Sequence, residues 1–392
     1  MSPDRRAFMR QGAGLAAASV GCWLLGPGRE ARGQDPLPPT GGGPQDRSRP
    51  TGDADFPPVP ARFYQPLPGG KIECQLCPRR CRVADRERGS CGVRENRGGV
   101  YYTLVHSRAV SANVDPIEKK PLFHVLPGSR SFSIATAGCN LECRFCQNWR
   151  ISQFRPEQVE AERLPPRRVH ELARRTGAQT IAFTYSEPTV FYEYMLDTAL
   201  LSRESGIRSV AISSGYIEPE PLALLLPNLA AIKIDLKAFS ERFYQELCRG
   251  RLQPVLERLQ QIRRAGCWLE LVVLLIPSWN DSPAELTALC RWVKRELGAD
   301  IPLHFTRFHP TYRLRTLPPT PVATLRQARE IGRSEGLRFV YTGNLPGDPG
   351  ESTRCPRCDR LLVERTGFAV VANHLAQGRC PGCNEPIPGV WS

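Results

Sequence analysis

Residues 131–149, SFSIATAGCNLECRFCQNW, run from a β-branched apolar stretch into Cys139, Cys143 and Cys146, separated by three and then two residues. Three thiolates fall one short of the four that close a structural zinc site. A four-iron cluster held by three cysteines keeps one iron open to a small molecule. Such an iron can chelate the amino and carboxylate groups of S-adenosylmethionine and pass an electron to its sulfonium, releasing a 5'-deoxyadenosyl radical. The competing reading is a zinc knuckle completed by a histidine, but His124 precedes the triplet and His170 comes well after it. Phe145 and the following Gln-Asn-Trp give the loop cover against water. The spacing points to radical chemistry.

Two further cysteine groups flank this one. Cys355-Pro-Arg-Cys358 and Cys380-Pro-Gly-Cys383 form two knuckles with 21 residues between them, close to the zinc-ribbon pattern. Zinc is favoured there; rubredoxin-type iron takes the same ligands and a disulfide pair ranks lower. Cys74, Cys77, Cys81 and Cys91 form a candidate second metal site whose occupant is open between an electron-relaying iron–sulfur cluster and a zinc ion that folds the module. Of the fifteen cysteines, Cys22, Cys248, Cys267 and Cys290 stand apart from these groups. The last three are expected in the interior.

The elements that must position the triplet are legible as β-rich runs at 131–137, 179–184, 208–214, 230–236, 269–276, 302–307 and 337–342. Most gaps between them carry amphipathic helical patterns, as at 166–175, 190–205 and 254–265. Repeated strand–helix units predict an α/β fold with a parallel sheet, a partial or full (β/α) TIM-type barrel, with small cysteine-rich modules at both ends. In such a fold the residues after each strand gather at one rim. Tyr185-Ser186-Glu187-Pro188-Thr189 follow the second run, Ser213-Ser214-Gly215 the third, Asp235 and Lys237 the fourth, His309 the sixth and Asn344 the seventh. Singly, Glu187 before a proline reads as a turn residue, Asp235 with Lys237 as a surface pair and His309 as a structural histidine. Their shared position at one rim favours a site for a sulfonium, a ribose and an adenine.

The ends of the chain have a different composition. Residues 1–33 carry Arg5-Arg6 and Arg10 ahead of an apolar stretch from Ala13 to Leu25, the pattern of a twin-arginine export signal. Export to the periplasm is the expectation, and the cytoplasmic alternative rests on where adenosylmethionine and low-potential electrons are supplied. Residues 34–60 are a Pro/Gly-rich linker around PLPPTGGGP. A cysteine-rich module and bridging segment follow over 61–130, the barrel over 131–346 and the C-terminal module over 347–392. The net charge of +14 is interspersed rather than blocked, and five arginines fall in residues 1–33 alone. No specific nucleic-acid binding and no transmembrane span in the mature chain are expected.

The motifs CQLCPRRC with SCGVREN, AGCNLECRFCQNW, TYSEPT, SSGY, KIDLK, LLIPSWND, HFTRFHP, YTGN, CPRC and RCPGCNEPIPGVW occur in this order. From about Tyr64 to the C-terminus the chain resembles the radical SAM superfamily, and within it the AmmeMemoRadiSam system radical SAM enzymes, which are similar to the activating enzymes of pyruvate formate-lyase. The resemblance implies a four-iron cluster on Cys139, Cys143 and Cys146. It also implies that Ser186, Glu187 and Pro188 contact the methionyl amino group, Ser214 and Asp235 the ribose region and Lys237 the methionyl carboxylate, with His309 near the adenosyl moiety. Ser214 stands where the related turn often has asparagine.

Three functions follow as expectations. The first is a radical enzyme that takes hydrogen from a substrate C–H bond. The second is an activase that places a radical on a glycine of a partner protein, and the third an exported iron–sulfur electron-transfer protein. A low-potential electron donor is a required partner of the first two, and a protein substrate is a candidate partner.

Overall fold

The computed structural model describes residues 55–392. The expected export signal and most of the expected linker lie outside the described residues. At the centre is an eight-stranded sheet. Its strands are β1 (Ser111–Pro116), β2 (Arg130–Ala135), β3 (Thr180–Phe183), β4 (Arg208–Ser213), β5 (Ala231–Asp235), β6 (Trp268–Leu275), β7 (Leu303–Arg307) and β8 (Val340–Gly343). They lie side by side in chain order; β2 to β8 are all parallel and β1 runs antiparallel against β2. Sequential parallel order with helical crossovers is the (β/α) barrel arrangement, here left open between β1 and β8. All seven strands expected from the sequence form. β1 comes from the bridging segment, where only Ala112 and Val114 alternate with polar residues, too short an apolar signal to announce a strand, and these two pack against the core.

Helices cover the outer face. They are α1 (Pro166–Arg175), α2 (Tyr192–Ser205), α3 (Pro219–Leu225), α4 (Leu252–Arg264), α5 (Pro283–Glu296) and α6 (Val322–Ser334). In α4, Leu252, Val255, Leu256, Leu259 and Ile262 recur at three- and four-residue steps and are the buried face. The start of α5 is set by Pro283 in its first turn and by Ser282, whose hydroxyl accepts from the Glu285 amide at 3.3 Å. Among the described residues no helix is long and apolar enough to cross a membrane.

The base of the barrel is plugged by its own chain. Residues between β1 and β2 fold under the strands, where Glu270 of β6 accepts from the amides of Phe123 at 2.9 Å and His124 at 2.8 Å. His304 Nε2 joins the same carboxylate at 2.9 Å. Burial holds both His124 and His304 below the usual histidine range, so this is a packed polar core rather than a titrating site.

The C-terminal segment forms a three-stranded antiparallel sheet of Thr353–Arg354, Leu361–Thr366 and Ala369–Asn373. Arg365 from it is fully buried against the plug, donating to the Phe123 carbonyl at 2.7 Å and facing Glu118 at 3.7 Å. At the other end, two small three-stranded sheets carry the first cysteine group. One is Tyr64–Leu67, Lys71–Cys74 and Arg82–Val83; the other is Val59–Pro60, Val100–Thr103 and Arg94–Arg97.

Candidate active site

The cluster loop leaves β2 through Gly138, whose φ of +93° only glycine adopts readily. The loop then lies along a π-helical turn, Tyr244–Cys248, with Glu142 N donating to Cys248 O at 2.9 Å and Arg144 N to Leu247 O at 2.8 Å. These bonds fix the backbone from which Cys139, Cys143 and Cys146 converge. Leu141 N points at Cys139 Sγ at 3.4 Å, and Ser152 Oγ lies 3.2 Å from Cys146 Sγ. The Cys248 thiol bonds to the Cys143 sulfur, which lowers Cys143 from the usual thiol range, while burial and then that bond raise Cys248. Nothing in the spacing of Cys248 marks it as a neighbour of the triplet, because the contact spans more than a hundred residues.

Glu187 organises the next sector of the rim. Its Oε1 accepts from Ser213 Oγ at 2.6 Å, Thr189 Oγ1 at 2.8 Å and Thr189 N at 3.1 Å. Its Oε2 accepts from Ser214 Oγ at 2.7 Å and Ser214 N at 2.8 Å. One buried carboxylate thus ties the turn after β3 to the turn after β4. It lies close enough to Cys139 for its charge to raise that thiol, adding to burial. Ser186 Oγ is buried beside it with no hydrogen-bond partner, an unfilled polar position at the rim.

Asp235 is clamped between two lysines, with Lys233 on one oxygen and Lys237 Nζ at 3.1 Å from the other. Desolvation opposes its ionisation, but the two ammonium groups outweigh it and hold Asp235 at about 2. Lys237 is raised above the ordinary lysine range: desolvation works against its charge, and Asp235, Cys143 and Cys248 outweigh it. Asn280, from the LLIPSWND motif, donates to the Lys237 carbonyl at 2.8 Å and to Leu274 O at 2.9 Å, and accepts from Ile276 N at 2.7 Å. It fixes the Lys237 backbone across the β5 and β6 rim. The sequence reading gave it no role, although the motif carried it.

Below the rim, Tyr185 turns inward at a φ of +63° and its hydroxyl bonds to Asp115 of β1. Lys120 Nζ sits 4.4 Å from the centre of the Tyr185 ring and 2.5 Å from Asp115. Burial pulls Lys120 down to about 8 against the pull of Asp115. These residues line the inner wall beneath the sector that holds Glu187. Neither Asp115 nor Lys120 was singled out from the sequence.

The structure therefore brings Cys139, Cys143, Cys146, Ser186, Glu187, Pro188, Ser214, Asp235 and Lys237 to one rim. His309 follows β7 at the same end and is exposed. At the far end of the chain, Cys355 and Cys383 sulfurs are 3.5 Å apart and those of Cys358 and Cys380 3.6 Å, with all four within 4.8 Å of one another. That is the spread of a tetrahedral single-ion site with metal–sulfur bonds of about 2.3 Å.

The profile of the Radical SAM superfamily matches residues 133–290, the segment from β2 into α5. The uncharacterized protein MJ0808 of Methanocaldococcus jannaschii is 44% identical over 329 residues, which cover 83% of this chain and 98% of the relative. This chain belongs to the radical SAM superfamily. Among solved structures, a domain of pyruvate-formate lyase-activating enzyme from Bacteroides vulgatus aligns at 16% identity and a TM-score of 0.37, over 42% of this chain and 98% of that one. Streptococcus suis SuiB aligns at 14% identity and a TM-score of 0.44, over 58% of this chain and 52% of that one. Membership of the radical SAM superfamily makes the chain an enzyme that uses S-adenosylmethionine and an iron–sulfur cluster. The donor set on the page fits that cluster: three converging thiols, N–H and O–H groups aimed at two of them, and an unpartnered buried hydroxyl alongside.

Proposed function

We propose that Cys139, Cys143 and Cys146 hold the four-iron cluster and that the radical formed from adenosylmethionine abstracts hydrogen from a C–H bond of a substrate. When bound, the cluster supplies one electron to the sulfonium, which yields methionine and the 5'-deoxyadenosyl radical. The observation that carries the reading is the pair of opposite charges beside the triplet, Glu187 next to Cys139 and Lys237 next to Cys143. A methionyl group is a zwitterion. Lys237 is placed for its carboxylate, and Ser186 Oγ with Glu187 for its ammonium. Ser214 and Asp235 stand on the neighbouring strand ends toward the ribose, in a site the barrel wall shields from water. Lys120 and Asp115, further down the wall, form the floor on the side of Glu187.

In the same reading, Cys355, Cys358, Cys380 and Cys383 hold a structural zinc ion that folds the C-terminal sheet under the barrel. Electrons come from a low-potential donor.

The test is 5'-deoxyadenosine release by the anaerobically reconstituted protein with dithionite and adenosylmethionine. Wild type is expected to release it and Cys143→Ala to release none. A wild-type protein with its cluster intact that releases no 5'-deoxyadenosine would overturn the reading.

A further inference from the structure

We propose that Cys74, Cys77, Cys81 and Cys91 ligate a second iron–sulfur cluster of the four-iron class, directly behind the catalytic cluster loop, and that electrons reach the catalytic cluster through it. The ligand assignment stands on its own geometry; the relay rests on the radical reading above.

The backbone brings these thiols together. Cys74 N donates to Cys81 O at 2.9 Å across the hairpin, and Cys77 lies in the turn between them, its carbonyl accepting from Arg80 N at 3.1 Å. Ser90 N donates to Cys81 Sγ at 3.4 Å, which sets the neighbouring Cys91 against the same hairpin. Each of three sulfurs also receives a backbone N–H from two residues further on: Leu76 to Cys74, Arg79 to Cys77 and Val93 to Cys91. The same step recurs at Cys139 with Leu141, Cys146 with Asn148 and Cys380 with Gly382. Donors aimed at sulfur gain most when the sulfur is a thiolate, as in a metal site.

A second, independent observation is the pair of buried donors around Cys74. Arg94 is 1% exposed and Tyr101 fully buried; the Arg94 Nη groups pair with Glu193 and the Arg62 carbonyl, while its Nε has no hydrogen-bond partner. The Tyr101 hydroxyl bonds to the Cys74 sulfur, and the Arg94 charge acts on the same thiol. A buried unanswered N–H costs about 1–3 kcal/mol. An anionic thiolate-ligated centre answers the Arg94 Nε and strengthens the Tyr101 bond. The spread of the sulfurs selects the class of centre. Among the described residues only the C-terminal four thiols close to within 4.8 Å of one another. No three of the N-terminal thiols lie within 4.8 Å of one another, wider than a single ion with bonds of about 2.3 Å holds, and a four-iron core spaces its ligands further apart than a single ion does.

Position supplies the role. A Cβ placed on Gly138 would lie 2.8 Å from Cys91 O and 2.5 Å from Val93 Cγ1, so the loop carrying Cys91 is in contact with the residue before Cys139. Arg79, between Cys77 and Cys81, donates to Asn140 O at 2.8 Å, just beyond Cys139. Cys81 is partly exposed and Ser90 beside it exposed, which gives a donor access. One electron enters from a low-potential one-electron donor protein, reduces the N-terminal cluster by one unit and passes to the catalytic cluster, returning the first to its oxidised state. No bond is made or broken.

The experiment measures iron, acid-labile sulfide and zinc in the anaerobically reconstituted full chain and in the Cys139→Ala/Cys143→Ala/Cys146→Ala variant. Wild type should hold about eight irons per chain and the variant about four, with matching sulfide. A wild type with about four irons, or a variant with none whose second site fills with zinc, overturns the assignment. For the relay, 5'-deoxyadenosine formation driven by reduced flavodoxin is compared with that driven by dithionite in wild type and Cys77→Ala. The ratio of the two rates should fall by about tenfold or more in the variant, the scale on which losing a metal-site partner acts. An unchanged ratio overturns the relay. Two clusters in wild type with no 5'-deoxyadenosine formed would instead overturn the radical reading and leave the second cluster standing.

Discussion

Glu187 is a single residue on which two rim turns depend, because its two carboxylate oxygens answer five donors. Replacing it by glutamine turns one acceptor oxygen into a donor facing other donors. Glu187→Gln is expected to lower stability by about 1–3 kcal/mol and to weaken adenosylmethionine binding, read by thermal unfolding and by equilibrium binding to the reconstituted protein. Asp115 and Asp235 give a pH prediction at the same scale. Lysines hold both at about 2, below the unfolded carboxylate value near 4. A depressed carboxylate contributes stability that is complete above pH 4 and is lost as pH falls toward 2, about 2–3 kcal/mol for each group. Asp235→Asn should therefore be less stable than wild type at pH 7, and the gap should narrow as the pH is lowered from 5 to 3. A gap that stays constant over that range would show that the lysine clamp does not set the titration.

At the scale of elements, the cluster loop depends on one backbone passage. Gly138 combines a φ of +93° with a neighbour 2.5 Å from where a Cβ would sit, whereas Gly177 has a φ of +66° and open space around it. Gly177→Ala tests conformation alone and should cost about 1–2 kcal/mol with iron content unchanged. Gly138→Ala adds overpacking of about 1–3 kcal/mol and pushes the Cys91 loop and the cluster loop apart. Iron per chain should fall in Gly138→Ala and stay at the wild-type value in Gly177→Ala. Equal iron in the two would mean that the contact between the loops does not hold the cluster in place.

Across the whole molecule, the C-terminal sheet and the barrel are joined by a buried ion pair between Arg365 and Glu118, reinforced by the Arg365 bond to the plug at Phe123 O. Burial raises Glu118 and lowers Arg365, so each depends on the other to stay charged. Arg365→Met leaves Glu118 alone in the interior and should cost about 3–5 kcal/mol, with Glu118→Gln in the same chain recovering part of the loss. Denaturant unfolding of the two variants checks this, and a double variant no more stable than the single one would argue against the pairing. With a metal held at Cys355, Cys358, Cys380 and Cys383 as proposed, its removal by a chelator should loosen the same junction and lower the unfolding midpoint.

Local order along the chain was enough for the outline of this protein. β-rich apolar runs placed the seven parallel strands, and period-3.6 patterns the helices between them. Cysteine spacing marked the three metal-type groups, and the rule that strand ends share a rim gathered Glu187, Ser214, Asp235 and Lys237 into one candidate site. These features are repeated within a few residues, so they survive in a linear reading. Tertiary structure decided what depends on distant segments meeting: the antiparallel β1, whose alternation is limited to Ala112 and Val114, the Cys248 thiol against Cys143, and the Asp115–Lys120–Tyr185 wall. It also decided the contact of Cys91 with Gly138 and the exposure of His309. Apart from Asp115 with Lys120, these contacts join residues dozens of positions apart or more, and no local periodicity encodes which of them will touch.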